Sequence, residues 1–271
     1  MRVPAGKAET EIHDTINRMA SRIPHNPGSL LWPRQSLPVE IGFEEVHIWA
    51  WSFGTAAEPT DYDLEILDKQ ERQRTERFYF APDKVRYSVC HASMRRILGS
   101  YLDRPSDSLV YREAEGGKPE LVLEPGQLPL RFNLSHSKSV ALLAVTLGMA
   151  VGVDVEDIRA IERGVAERFF SSAEIAAMAP LGGEEWLNAF YRCWTRKEAI
   201  LKVVGTGLRV PLDSFDVSLL RDEPAALLAA RPESKLMTSW QLHHLSPAEG
   251  IVGALAIGDA AALVIPWTFE H

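Results

Sequence analysis

Cysteine is nearly absent from this chain: Cys90 and Cys193 are the only two among 271 residues. Both fall in segments with helical patterning, so buried thiols in a reducing compartment are expected, without a disulfide framework or a cysteine metal site. Long apolar runs are missing too. No stretch approaches the roughly eighteen apolar residues of a membrane span, and Met1 to Lys7 lacks the apolar centre of a secretory signal, so a soluble cytoplasmic protein is expected. Basic residues are in deficit, with 29 Lys and Arg against 37 Asp and Glu and a net charge of −8. That balance argues against nucleic acid as the main partner, because binders of the phosphate backbone carry a basic surplus. The apolar fraction of 46% is still that of a globular protein with a sizeable core, as one large domain or two of modest size.

What the chain does have is concentrated in a few segments. The run from Phe190 to Lys202 holds neither Gly nor Pro and predicts a helix. Phe190, Trp194 and Leu201 share one stripe, while Tyr191, Thr195, Glu198 and Lys202 share its neighbour, so the first is expected to be buried and the second to point a carboxylate and an ammonium outward. Alone, this is an ordinary amphipathic helix with an i,i+4 ion pair. Upstream, Val151 to Ile158 alternates apolar and acidic residues behind Gly152, a strand signature that puts Asp154 and Glu156 on one side. Adjacent carboxylates repel, and the strand needs a cation or an open solvent face to keep both. A third feature is basic. Arg72, Arg74, Arg77, Lys84, Arg86, Arg95 and Arg96 crowd one segment, either as a solvated helix face interleaved with Asp68, Glu71, Glu76 and Asp83 or as a pocket for a polyanionic ligand.

Residues 1–40 mix a possible short helix, Glu9 to Ile23, with several prolines and read as an appendage. A strand is expected from Val46 to Trp51, a helical region from Asp63 to Leu102, and a buried strand from Val140 to Val145. After the acidic strand come helices around Val165 to Met178 and Glu184 to Val204, then strands near Phe215 to Leu219, Ser239 to His244 and Ile251 to Ile257. The order echoes the first half, and Glu76 to Tyr79 nearly repeats as Glu167 to Phe170. Mixed sheet and helix with antiparallel hairpins makes the fold α+β.

The glycine-led Asp154-x-Glu156 strand followed by Trp194-x-x-Lys197-Glu198-Ala199-x-x-x-Lys202 resembles the phosphopantetheinyl transferases of the Sfp type. Gly117-Lys118-Pro119-x-Leu121, Phe132 to Ser137, Arg168 to Ser171 and Gly205 to Leu208 followed by Pro211 to Phe215 are similar to family segments and stand in the family's order, covering about residues 45 to 260. The resemblance implies two similar α/β halves related by a pseudo-twofold, 41–147 and 148–271, with the active site in the cleft between them. It implies transfer of the phosphopantetheine arm of coenzyme A to a serine of an apo acyl- or peptidyl-carrier protein, with adenosine 3′,5′-bisphosphate released. The chain would act as a monomer in fatty acid, polyketide or nonribosomal peptide biosynthesis.

The residue roles implied are these. Asp154, Glu156 and Glu198 match the ligands of Mg²⁺, with Mn²⁺ a possible substitute, and Asp154 also belongs to the coenzyme A site. Lys202 would reach the phosphates and stabilise the leaving bisphosphate, and Glu198 would serve as metal ligand, as general base, or as both. Arg74, Gly117, Lys118, Asn133, Leu134, Ser135 and His136 match the nucleotide-binding positions, with Arg86 a further candidate for the 3′-phosphate. Lys197 is either a charged surface residue or a phosphate contact. Glu71 stands where some relatives are basic, which implies a nucleotide pocket with one cation fewer. Two rival readings are a carrier-binding module without chemistry and a glycosidase using Asp154 and Glu198 as its carboxylate pair. Neither needs three converging carboxylates together with a basic cluster and a Gly-Lys-Pro turn.

Overall fold

The computed structural model describes residues 30–37, 39–53, 59–114, 117–205, 210–234, 236, 239–258 and 262–270. The helix expected over Glu9 to Ile23, and Thr206 to Leu208 of the glycine-rich segment, lie outside them. The architecture is α+β and runs through one sequence of elements twice. The first half opens with strand β1 (Glu45–Ser52), followed by helices α1 (Asp61–Ile66), α2 (Lys69–Arg77) and α3 (Ala81–Leu102). A short ladder of β2 (Tyr111–Glu113) and β3 (Pro119–Leu121) comes next, then the antiparallel pair β4 (Leu130–His136) and β5 (Val140–Leu147). The second half repeats this as β6 (Val151–Asp157), α4 (Arg163–Phe169), α5 (Ser172–Met178), α6 (Gly183–Val204), the ladder β7 (Phe215–Val217) with β8 (Leu227–Ala230), and the pair β9 (Gln241–Leu245) and β10 (Ile251–Ile257).

Both sheets place the last strand of the set in the middle, as β1-β5-β4 and β6-β10-β9, and both long helices have 22 residues. Strand β11 (Leu263–Thr268) then returns to pair parallel with β1. The C-terminal strand therefore completes the sheet of the first half, where a simple division at 147/148 assigns it to the second.

Alternation along the strands sorts the core into layers. Val46, Ile48 and Ala50 of β1, Val140, Leu142 and Ala144 of β5, and Val151, Val153 and Val155 of β6 fill one apolar cluster between the sheets. The opposite faces carry Trp49, Trp51, Leu143 and Val145 against Cys90, Met94 and Ile97 of α3, and Val252, Ala254 and Ala256 of β10 against Phe190, Cys193 and Ile200 of α6. Each sheet thus has its own long helix on the outside. Strands buried on both faces read as continuous apolar runs, which is why β5 and β10 stand out in the sequence.

The helical region expected from Asp63 to Leu102 is three helices. Asp68 caps α2 with a box closed by Glu71, and the second break falls at Phe80, with Pro82 in the first turn of α3. Ser171 and Glu174 form the same box at the start of α5. In each half the box glutamate is buried and holds a cation from the long helix: Glu71 Oε2 accepts from Arg95 Nε at 2.7 Å, and Glu174 Oε1 lies 2.8 Å from Lys197 Nζ. Each cation also donates to two carbonyls of the turn after its helix. For Arg95 these are Ser106 and Leu109; for Lys197 they are Leu212 and Phe215.

These struts, rather than the tetrapeptide echo, align the two halves. Glu76 to Tyr79 runs through the end of the capped helix α2, whereas Glu167 to Phe170 ends α4, the helix before the capped one, so the two tetrapeptides occupy inequivalent places. Lys197 is wholly buried in its strut, which excludes both the surface role and the phosphate contact expected of it.

Candidate active site

Gly152 sets the geometry of the site. A Cβ there would overlap the backbone at Ala199 and Val203, so only glycine lets the last turns of α6 lie directly on β6. The residues of β6 on that same side are Asp154 and Glu156, and the residues that α6 brings to them are Glu198 and Lys202.

Asp154 is buried, and its Oδ1 accepts from Lys202 Nζ at 2.6 Å and from Ser135 Oγ at 2.9 Å. Lys202 Nζ also lies 2.8 Å from Ser135 Oγ. The ammonium is thus paired across to the strand, and the expected i,i+4 pair with Glu198 is replaced by this contact. Asp154 Oδ2 is buried and has no hydrogen-bond partner among the described residues. Burial, reinforced by the Asp154 charge, pushes the Glu156 carboxyl up to about 7 and raises that of Glu198. The polar stripe of α6 is open only at these last two positions, because Tyr191 and Thr195 are buried and Thr195 Oγ1 donates back to the Tyr191 carbonyl.

The two halves meet at β4 and β6, each the edge strand of its sheet. Asn133 Oδ1 accepts from the Val153 amide at 2.7 Å, and so satisfies the free edge of β6. Leu134 packs into the apolar core of the first half. Of the segment expected to hold nucleotide, Ser135 thus belongs to the Asp154 cluster and only His136 opens outward. It lines a cavity of about 360 Å³ together with Arg86, Tyr87, Glu156 and Arg159. Burial holds the His136 imidazole below its usual range. Arg86 is paired with Asp83, and the Arg74 guanidinium lies 5.7 Å over the ring of Tyr87. Arg86 and His136 therefore share one opening with Glu156, and Arg74 stands behind it on Tyr87.

Lys118 is elsewhere. Gly117 takes the left-handed conformation of a turn (φ 84°), and the Lys118 ammonium donates to the carbonyls of Val151 at 2.7 Å and Lys202 at 2.9 Å. Lys118 lines a different cavity, of about 390 Å³, beside Val151 and Gly205. The remaining basic segment divides between the two readings. Arg95 is fully buried in its strut, Arg96 pairs with Asp63, and Arg72 donates to carbonyls of Leu64 and Glu65. Glu71, expected to subtract a cation from the pocket, instead clamps Arg95 and accepts from His91.

Among the described residues, no three His, Cys, Asp or Glu side chains form a ready-made metal cluster. Asp154, Glu156 and Glu198 nonetheless suit an ion that takes few protein ligands and completes its shell with water and phosphate oxygens. Asp154 Oδ2, without a hydrogen-bond partner among the described residues, is the acceptor that such an ion would satisfy.

Sequence reasoning missed Tyr87, Arg159 and Asp157. Asp157 accepts the amides of Lys138 and Ser139, and so shapes the turn after His136. Its place at the end of the acidic strand is the only sequence signal for any of the three.

Residues 150–257 match the family described as the 4′-phosphopantetheinyl transferase superfamily, and residues 55–147 match 4′-phosphopantetheinyl transferase, N-terminal. The chain is 32% identical over 216 residues to the 4′-phosphopantetheinyl transferase HetI of Nostoc sp., covering 79% of this chain and 88% of that one. It is 29% identical to the 4′-phosphopantetheinyl transferase Sfp of Bacillus subtilis, over 59% of this chain and 69% of the other. Similarity extends to the L-aminoadipate-semialdehyde dehydrogenase-phosphopantetheinyl transferase of Rattus norvegicus, at 28% identity over 70% of this chain and 66% of the relative.

Proposed function

The chain belongs to the 4′-phosphopantetheinyl transferase superfamily, and from that premise we propose that it moves the phosphopantetheine arm of coenzyme A onto a serine of an apo acyl- or peptidyl-carrier protein, releasing adenosine 3′,5′-bisphosphate. The observation that carries this reading is the buried Asp154, with one oxygen on Lys202 and the other unpartnered, next to an opening lined by Arg86 and His136.

In this reading the serine oxygen attacks the phosphorus that bears the pantetheine arm, and the pyrophosphate P–O bond breaks. Positioning and charge neutralisation supply most of the catalysis. Lys202 offsets the charge that builds on the departing bisphosphate. Glu198, with its carboxyl raised toward the working pH, accepts the serine proton. Arg86, His136 and Arg74 hold the nucleotide phosphates. Asp154, Glu156 and Glu198 would hold Mg²⁺, which when bound draws off phosphate charge. The enzyme works as a cytoplasmic monomer of two halves divided near 147/148, with β11 returned to the first, and among the described residues no helix is long and apolar enough to cross a membrane.

The test is to incubate the protein with coenzyme A, Mg²⁺ and several apo-carriers, and to look by mass spectrometry for the phosphopantetheine adduct on a serine. Transfer that is abolished by EDTA and restored by Mg²⁺ supports the reading. Absence of an adduct on every carrier counts against it.

A further inference from the structure

The Lys118 ammonium touches the two elements that carry the reaction groups, and touches both through backbone. Val151 begins β6, the strand of Asp154 and Glu156; Lys202 lies in the last turn of α6. The final carbonyls of a helix have no intrahelical partner, and a cation there is favoured by the helix dipole. The Gly205 amide takes the Leu201 carbonyl, and Lys118 takes that of Lys202. At Gly152 no side chain stands between helix and strand, so a shift of the last turn is passed directly to the contact between Lys202 and Asp154.

We propose that Lys118 is a positioning residue for the transfer reaction: it fastens the turn between β2 and β3 to the start of β6 and the end of α6, and so fixes where Lys202 meets Asp154. This rests on the function proposed above. Two of the three ammonium hydrogens are taken by the carbonyls of Val151 and Lys202, and losing them would leave both acceptors without this partner. Burial brings the ammonium down to about 8, so it still carries its charge at neutral pH.

The experiment compares the full chain with Lys118→Met, Lys202→Ala and the double variant, measuring coenzyme A affinity by calorimetry, turnover at saturating coenzyme A, and melting temperature. Lys118→Met should keep its coenzyme A Kd within about twofold and lose about tenfold or more in kcat, the scale of a misplaced reacting group. That loss should vanish in the Lys202→Ala background, because residues acting through one contact are not additive. If Lys118→Met does not fold, Lys118→Ala is read in the same way, with propylamine added to restore the missing cation. A tenfold weaker coenzyme A affinity at unchanged kcat makes Lys118 a phosphate ligand and overturns the proposal. Independent, multiplying losses in the double variant reduce it to general support of the fold and overturn it too. An unmodified chain that binds coenzyme A but transfers nothing counts against the function itself, and the clamp falls with it.

Discussion

Lys202 Nζ lies 2.6 Å from Asp154 Oδ1, and Ser135 Oγ is within hydrogen-bond distance of both groups, at 2.8 and 2.9 Å. A residue from each half of the chain thus meets on a single carboxylate oxygen, while the second oxygen of Asp154 stays buried and unpartnered. Buried carboxylate oxygens that serve folding alone are as a rule hydrogen-bonded.

Asp154→Asn removes the charge and keeps the shape. Transfer should fall by at least two orders of magnitude, the scale of losing a principal electrostatic contributor. Melting should change by only a few degrees, because the amide still accepts from Ser135. Collapse of the fold, seen as loss of a cooperative melt, would mark Asp154 as structural instead.

Glu156 gives a pH prediction with a definite sign. Its carboxyl is raised from 4.5 to about 7, so between those values the folded state holds a proton that the unfolded state has lost. Stability contributed by this group is therefore present at low pH and is lost as pH rises through that window. In EDTA, Glu156→Gln should melt above the unmodified chain at pH 8, and the gap should close by about pH 4.5. Equal melting temperatures across the range would show that neither burial nor Asp154 disfavours the charged carboxylate.

Much of this was legible in the sequence because it depends on local pattern. Alternation placed Asp154 and Glu156 on one face, and the stripe of Phe190, Trp194 and Leu201 oriented α6. What the sequence hid depends on contacts between distant segments. Lys197 reads as a surface charge or a phosphate contact and Lys118 as a nucleotide-binding residue, yet each donates to carbonyls that come close only once the chain has folded. Arg95 hides for the same reason, and the helix breaks at Asp68 and Ser171 were masked by continuous helical composition on either side.

The buried struts carry a stability prediction. Glu174→Ala leaves the wholly buried Lys197 without its counter-charge, a change that costs roughly 3 to 5 kcal/mol. Urea unfolding should register it as a lower midpoint at unchanged slope. A neutral result would mean that the carbonyls of Leu212 and Phe215 satisfy Lys197 by themselves.

Coenzyme A affinity should depend on the opening lined by Arg86 and His136. Each replacement by Ala, and Arg74→Ala beside Tyr87, should remove a charge-assisted contact worth roughly 1.5 to 3 kcal/mol when partly buried. Binding should also weaken with added salt. Calorimetry giving the same affinity in all three variants would locate the nucleotide elsewhere.

The sharpest test falls on Glu198, the half-buried carboxylate of α6 that makes no ion pair among the described residues. If it were only part of a solvated helix face, Glu198→Gln would cost a few tenths of a kcal/mol and leave turnover alone. As a metal ligand or base it is needed in its charged form, because a neutral amide oxygen is a weaker ligand for a hard cation and does not take up the serine proton. Transfer should therefore fall by about two to three orders of magnitude, with the melting temperature held or raised, since burial and Asp154 both disfavour that charge. Lys202→Ala should slow transfer as well and, unlike Glu198→Gln, should lower stability, because it strands the buried Asp154. Opposite stability shifts with a shared loss of activity distinguish two reacting groups from an ion pair. Near-normal turnover of Glu198→Gln at saturating Mg²⁺ would sink the proposed chemistry.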